Sequence, residues 1–144
     1  MEQPQNPGTV TWQLTIDTRD PHAQADFWAA ALGGELEDNE ALIATVLEHG
    51  WAAESDTLVH HGRRYWRDLV AVRGAGPRLL FQRVPEAKTV KNRVHLDLHV
   101  GEDRIRPEVD RLVALGAVEG KEWRDVGGHW IAMTDPEGNE FDVE

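Results

Sequence analysis

Apolar and polar residues alternate in the first patterned segment of the chain. Residues 9–17, TVTWQLTID, place apolar side chains at the even positions and are rich in β-branched residues. Such alternation is typical of a half-buried strand, because successive side chains point to opposite faces. Asp20-Pro21 then predicts the start of a helix, and apolar residues recur at helical spacing until Gly33.

The same unit occurs again from Arg93. Residues 94–100, VHLDLHV, alternate strictly, and a segment with one apolar helical face follows and ends at Gly116. The polar and apolar phases of the two strands match at a spacing that pairs Gln13 with His95. A slip of one residue would turn the apolar set to the other face, so this register is the one we expect.

The chain between the two units is less regular. Residues 39–50 predict an inserted amphipathic helix, and residues 51–62 predict a loop with a short strand. Residues 64–73 and 78–84 predict a hairpin around the turn at 74–77, GAGP.

Three more strands are predicted after the second helix, at 117–123, 129–134 and 140–143. Residues 135–139, DPEGN, are typical of a turn, and this is the role that we expect for Glu137 to Asn139. The domain organisation predicted from these patterns has four parts. They are a polar leader at 1–8, a first module at 9–84, a linker at 85–92 and a second module at 93–144.

Composition excludes several classes of protein. The chain has no cysteine, so any metal would need His, carboxylate or amide ligands. It has no apolar run long enough to cross a membrane and no secretory signal, which predicts a cytoplasmic protein without a membrane partner. The net charge of -11 argues against nucleic acid as a partner, because phosphate binding needs clustered Lys and Arg.

The repeated order of strand, helix and three strands resembles the vicinal-oxygen-chelate superfamily of glyoxalase, bleomycin-resistance and dioxygenase proteins. Residues 135–141, DPEGNEF, and 81–98 carry the closest similarity, the latter to a glyoxalase-like subgroup. The resemblance implies an α+β fold in which two tandem βαβββ modules form curved, mainly antiparallel sheets around one cleft, with the helices outside. Since members of the family often pair, it also implies a homodimer that binds a small molecule.

The alternation and the resemblance together predict which side chains face the cleft. The apolar residues of both first strands would pack on the helices, and the polar residues between them would line the cleft. The predicted polar set is Gln13, Thr15, Asp17, His95, Asp97 and His99. A wall this polar is more easily explained by a ligand or water than by a dry core.

The resemblance implies metal ligands on the first and last strand of each module. Carried over residue by residue, these are Gln13, Gln82, His95 and Asp142. One imidazole, one carboxylate and two amides suit zinc, nickel, cobalt, manganese or iron, and a metal-free cleft is the alternative. Glyoxalases use two Glu and extradiol dioxygenases two His and one Glu, so neither standard activity is supported.

Three residues are candidates for catalysis. Asp142 is one because an inward carboxylate on the last strand is costly to desolvate without a compensating partner. His95 and His99 share one face with Asp97 and could serve acid–base chemistry without a metal. The alternative for His95 is a hydrogen bond to Asp97, Asp142 or water.

The aromatic residues divide into two sets. Trp28 is predicted to lie in the helix core by its spacing, and Trp12 on the helix side of its strand. The resemblance places the other four tryptophans near the cleft, where they could stack on a ring, with core packing as the alternative. These four are Trp51, Trp66, Trp123 and Trp130.

Two further histidine positions are predicted to lie outside the site. His60 and His61 are adjacent, and adjacent strand residues point to opposite faces, so joint ligation is awkward and the pair is predicted to be loop. His129 is expected at the surface, with the cleft rim as the alternative.

Three functions are consistent with these observations. The first is an isomerase- or lyase-type enzyme that acts on a small oxygenated molecule with the help of a metal. The second is a non-catalytic protein that sequesters a cationic or aromatic compound, as bleomycin-resistance members do. The third is a protein that acts through an interface, and the fold does not choose among them.

Overall fold

The computed structural model describes residues 8–74 and 76–144. The predicted leader, apart from Gly8, and Ala75 of the predicted turn lie outside the described residues. The described part contains three α-helices and ten β-strands. The helices are α1 (Pro21–Leu32), α2 (Glu40–Glu48) and α3 (Ile105–Leu115). The strands are β1 (Leu14–Thr18), β2 (Glu35–Leu36), β3 (Thr57–His60), β4 (Arg63–Trp66), β5 (Leu69–Arg73), β6 (Leu79–Arg83), β7 (Leu96–Leu98), β8 (Val118–Asp125), β9 (Gly128–Thr134) and β10 (Glu140–Val143).

Two four-stranded sheets repeat one topology. The first has the order β1-β6-β5-β2 and the second the order β7-β10-β9-β8. Strand β1 is parallel to β6 in the first sheet, and β7 is parallel to β10 in the second. All other neighbouring strands are antiparallel. We call the two βαβββ units the first and second module. The predicted α+β fold is confirmed.

Local signals in the sequence account for the ends of α1. The Asp20 carboxylate accepts a hydrogen bond from the Ala23 amide, and Pro21 occupies the first turn, where its missing N–H is not needed. The helix ends at Gly33, whose φ of 66° is the left-handed conformation that glycine adopts without strain.

The segment inserted between β2 and β5 differs from the prediction. Residues 64–73 are not one strand, because β4 pairs with β3 in a separate two-stranded sheet and β5 pairs with β6. The chain turns at Arg67, whose guanidinium donates to the carbonyls of Ser55 and Thr57. Alternation indicates which residues share a face but not which strand becomes the partner.

One apolar core joins both modules. It contains Trp28, as predicted, together with Phe81 and Phe141, and all three are almost fully buried. The apolar residues of β1 and β7 pack against this core as expected. The prediction for Trp12 was wrong, because its side chain is 71% exposed. The sheet begins only at Leu14, so Trp12 has no neighbouring strand to cover it.

The turn between β9 and β10 connects the modules. Asp135 is 2% exposed, and its Oδ2 accepts hydrogen bonds from Gln24 Nε2 (2.7 Å) and Trp28 Nε1 (3.1 Å), both on α1. Glu137 accepts the backbone amides of Arg19 and Asp20. These residues therefore do more than form a turn, since they satisfy polar groups of the first module.

No helix within the described ranges is both long and apolar enough to cross a membrane.

Candidate functional site

The second module brings one histidine and two carboxylates together. Asp97 on β7 and Asp142 on β10 are direct partners across the parallel strand pair. His95 precedes β7, and its Nδ1 lies 2.9 Å from Asp97 Oδ1 and 3.9 Å from Asp142 Oδ2. One ligand atom from each residue lies within 4.8 Å of the others. Asp97, expected to contact substrate, therefore joins the two predicted ligands as a third donor.

The electrostatics of this cluster favour a cation. Partial burial raises the pKa of Asp142, and the neighbouring negative charge of Asp97 raises it further. His95 opposes the shift but does not cancel it. A bound cation would lower the energy of the ionised pair, so the cluster has the character of a cation-binding site.

Aromatic residues form one wall of the cavity that holds His95 and Asp142. Trp123 on β8 and Trp130 on β9 are register partners whose rings stack with centroids 6.1 Å apart and planes 13° apart. The cavity measures about 590 Å³, which is large enough for a small organic molecule. The ammonium of Lys121 lies 3.7 Å from the centroid of the Trp123 ring. Lys121 therefore covers one face of the Trp123 ring with a cation of the chain itself.

Two basic residues bring positive charge to the rim. Lys91 lines the same cavity, and Lys88 donates to the carboxylate of Glu140 at 3.0 Å. Burial acts to raise the pKa of Glu140, but hydrogen bonds from Lys88 and the Asn92 amide lower it to about 2. Glu140 therefore stays ionised and paired with Lys88.

A second cavity of about 340 Å³ lies where the modules meet. Thr15 and Asp17 of β1 line it together with His95. The predicted polar face of β1 thus borders the same histidine from the other side. The Thr15 hydroxyl accepts a hydrogen bond from the Gln13 amide.

The two predicted glutamine ligands have other neighbours. Gln13 Oε1 accepts a hydrogen bond of 2.7 Å from the Arg78 guanidinium, a fixed positive charge that opposes a metal at that oxygen. Gln82 pairs with Asp17 across β1 and β6.

The strand register does not let Gln13 correspond to His95 while Gln82 corresponds to Asp142. If Gln13 corresponds to His95, then Thr15 corresponds to Asp97, and Thr15 pairs with Leu80 rather than with Gln82. With that correspondence, Leu80 and not Gln82 takes the place of Asp142 in the first module.

The remaining predicted site residues lie elsewhere. His99 has a side chain that is 80% exposed and pairs with Glu144 at 2.9 Å. Trp51 stacks on His49 in the inserted segment, and Trp66 belongs to β4 of the same segment. His129, which was expected at the surface and outside the site, bridges the exposed carboxylates of Glu102 and Glu122, but its own side chain is only 11% exposed.

The prediction for His60 and His61 was wrong in its geometry. Both Nε2 atoms lie 2.9 Å from Asp26 Oδ2, so the two rings reach one side of the chain. They can do so because His61 has a φ of 50°, which ends the extended conformation after His60. Only two residues, His61 and Gly62, connect β3 to β4. The glycine in this position was the sequence signal for such a turn.

Comparisons with known proteins agree with this architecture. A family model described as a glyoxalase-like domain matches residues 13–144. A glyoxalase/bleomycin resistance protein/dioxygenase family enzyme from Burkholderia phytofirmans is 15% identical, with a TM-score of 0.61 over 91% of this chain and 94% of that one. The fosfomycin resistance protein FosX from Listeria monocytogenes is 13% identical, with a TM-score of 0.63 over 94% and 91%.

A third similar structure is the bleomycin-binding protein from Streptomyces verticillus in complex with copper(II)-bleomycin. It is 16% identical, with a TM-score of 0.54 over 94% of this chain and 95% of that one. No curated protein sequence matches significantly. At these identities the structural matches establish the fold alone. The family model spans nearly the whole chain, and the chain therefore belongs to the glyoxalase-like domain family.

Proposed function

We propose that this protein is a metal-assisted enzyme that acts on a small oxygenated molecule in the cavity of the second module. The observation that carries the proposal is the convergence of His95, Asp97 and Asp142 beside the stacked Trp123 and Trp130. The cavity thus combines His95 and Asp142 of the cluster with a flat aromatic wall, and these are the two elements needed to hold and orient a small ligand.

The donors suit a divalent ion. One imidazole and two carboxylates form an oxygen-rich set, which favours manganese or iron over softer ions. Three protein ligands leave positions open for substrate. When bound, the ion would stabilise negative charge that develops on a substrate oxygen. The Trp pair would orient the substrate against it.

Similar structures support this choice of ion. A FosX variant from Listeria monocytogenes was crystallised with Mn(II) and a dihydroxypropylphosphonic acid. A vicinal pair of oxygens is also the ligand that the open positions of the His95 cluster would accept. The substrate that we propose is accordingly a small diol, hydroxy-carbonyl or phosphonate compound.

Titration with Mn²⁺, followed by electron paramagnetic resonance, tests the proposal. We expect one ion per cleft in the wild-type protein and an affinity at least about 10-fold weaker in Asp142→Asn. Asp125→Asn, at the exposed end of β8 in the same module, is the matched control and should bind as wild type. Adding acetohydroxamate, a bidentate oxygen ligand, should change the Mn²⁺ spectrum of the wild type.

The pH dependence of binding adds a second check. Because the pKa of Asp142 is raised, protons compete with the ion, and the affinity should fall as the pH falls towards that pKa. If Mn²⁺, Fe²⁺, Ni²⁺ and Zn²⁺ all fail to bind at the His95 cluster, the metalloenzyme proposal is wrong.

The second candidate is a non-catalytic binder of cationic aromatic compounds. The stacked Trp123 and Trp130 beside two carboxylates favour it, since such a wall could stack on a ring while the carboxylates pair with its charge. Titration with copper(II)-bleomycin, followed by tryptophan fluorescence, tests it. Saturable quenching that is lost in Trp130→Ala and persists without added metal would favour the binder.

A further inference from the structure

A second cluster of metal-ligating side chains lies outside the cleft, on the inserted hairpin. Strands β3 and β4 are joined by the two residues His61 and Gly62, because His60 pairs with Arg63. Both loop residues have positive φ, 50° and 75°, as a type I′ turn requires. This turn is what brings the His60 and His61 side chains to one side.

Both imidazoles converge on one carboxylate of α1. His60 Nε2 and His61 Nε2 each lie 2.9 Å from Asp26 Oδ2, and the three ligand atoms all lie within 4.8 Å of one another. Ligand atoms around a tetrahedral zinc ion are about 3.3 Å apart, since each lies about 2.0 Å from the metal. Small rotations of the two rings would admit one ion in place of their two N–H protons.

The position of His60 is set by buried neighbours. The His22 ring lies 5.0 Å from the His60 ring, and Tyr65 is edge-on to both. His22 Nε2 lies 3.1 Å from the Trp66 carbonyl, which requires the proton to be on Nε2. Burial lowers the pKa of His22.

The cluster joins two parts of the fold. His22 and Asp26 are one turn apart on α1 and thus share a face. Each contacts the hairpin, His22 through β4 and Asp26 through the last residue of β3 and the turn that follows it. A metal here would link the inserted hairpin to the helix of the first module.

We infer that Asp26, His60 and His61 form a zinc-type metal site that anchors the inserted hairpin to α1. Two imidazoles and one carboxylate prefer zinc, nickel or copper, whereas the oxygen-richer cluster at His95 prefers harder ions. Because the His61 side chain is exposed, water can occupy the fourth coordination position of a bound ion. This site is independent of the function proposed for the cleft.

Zinc binding to the chelator-treated full chain tests the inference, with Co²⁺ absorption as the spectroscopic probe. The key variant is His61→Asn, because Asn tolerates a positive φ and the position is exposed, so the hairpin should keep its conformation. We expect Zn²⁺ affinity to fall at least about 10-fold in this variant and in Asp26→Asn. His49→Asn, another exposed histidine of the insertion, should bind as wild type. Asp142→Asn should keep this Zn²⁺ site, which separates it from the cleft.

Amide hydrogen exchange provides the structural readout. Zn²⁺ should slow exchange in residues 57–66 of the wild type and have no such effect in His61→Asn. The inference is overturned if the wild type binds no Zn²⁺ or if His61→Asn binds Zn²⁺ as tightly as the wild type does. Binding that leaves exchange of the hairpin unchanged would overturn the anchoring role.

Discussion

The two modules have the same strand order but carry different chemistry at corresponding places. In the second module, the parallel pair of first and last strands holds His95, Asp97 and Asp142. In the first module, the corresponding pair places Thr15 opposite Leu80. The start of that sheet is held by an ion pair, because Arg78 donates to both oxygens of Glu37 and to Gln13.

This difference shows which part of the repeated fold is constrained. The helix-facing residues of both sheets must be apolar, since they form the shared core around Phe81 and Phe141. The opposite face carries no such requirement, so one module can hold the cluster of His95 and two carboxylates while the other holds a salt bridge. A repeated topology is therefore poor evidence for a repeated site.

The largest expected effect is at the turn that joins the modules. Asp135→Ala should lower the free energy of unfolding by about 4 kcal/mol, because the buried donors of Gln24 and Trp28 lose their acceptor. Urea denaturation followed by circular dichroism measures it. The control is Asp125→Ala, at the exposed end of β8, which loses only a solvent-exposed hydrogen bond from the Gly127 amide and should cost less than about 1 kcal/mol. Similar costs for the two variants would mean that this turn does not couple the modules.

Removing the salt bridge of the first module should have the next largest effect. Hydrogen bonds from Arg78, and then from Arg73, lower the pKa of Glu37 from 4.5 to about 2. The ionised group therefore stabilises the fold above about pH 4.5, and this contribution is lost as the pH falls towards 2. Glu37→Gln should lower the free energy of unfolding by about 2 kcal/mol at neutral pH.

Denaturation of the wild type and Glu37→Gln over a series of pH values checks the sign. The difference in free energy of unfolding between the two proteins should become smaller as the pH falls below the ordinary pKa of a carboxyl group. A difference that is constant down to about pH 3 would contradict the ion-pair interpretation.

Matched substitutions in the two modules sharpen the comparison at the site itself. Asp97→Asn should weaken Mn²⁺ binding about 10-fold and lower the pKa of Asp142, because a neighbouring negative charge is removed. Asp17→Asn, on the first strand of the other module, should change Mn²⁺ affinity less than about 2-fold. Isotope-edited NMR of the Asp142 carboxyl measures the pKa. Equal losses of affinity would show that both modules contribute ligands.

The smallest effect is expected at Glu137. Its carboxylate accepts the amides of Arg19 and Asp20 at the start of α1, and Glu137→Gln keeps the shape but removes the charge. We expect the free energy of unfolding to fall by about 1 kcal/mol. Differential scanning calorimetry would detect this as a lower melting temperature. The control is Glu144→Gln, whose carboxylate pairs with the exposed His99. A melting temperature equal to that of the control would show that the Glu137 contacts do not stabilise the joint.

Local signals in the sequence were sufficient for the helices, the cleft-facing phase of β7 and the two-module fold. The Asp20-Pro21 start, the Gly33 stop and the alternation around His95 are short-range patterns whose physical causes act within a few residues. That His95 and Asp142 are neighbours in the fold was implied by the family resemblance and not by these patterns.

Other features were determined only by the tertiary structure, because they involve residues that are distant in the chain. Alternation could not show that Thr15 pairs with Leu80, that Arg78 reaches Gln13, or that residues 64–73 divide between two sheets. Nor could it bring His60 and His61 together on Asp26, since one residue with positive φ reverses the face that a strand pattern assigns. Register and turn conformation are chosen by the packing of the whole molecule, and a local pattern constrains them only in part.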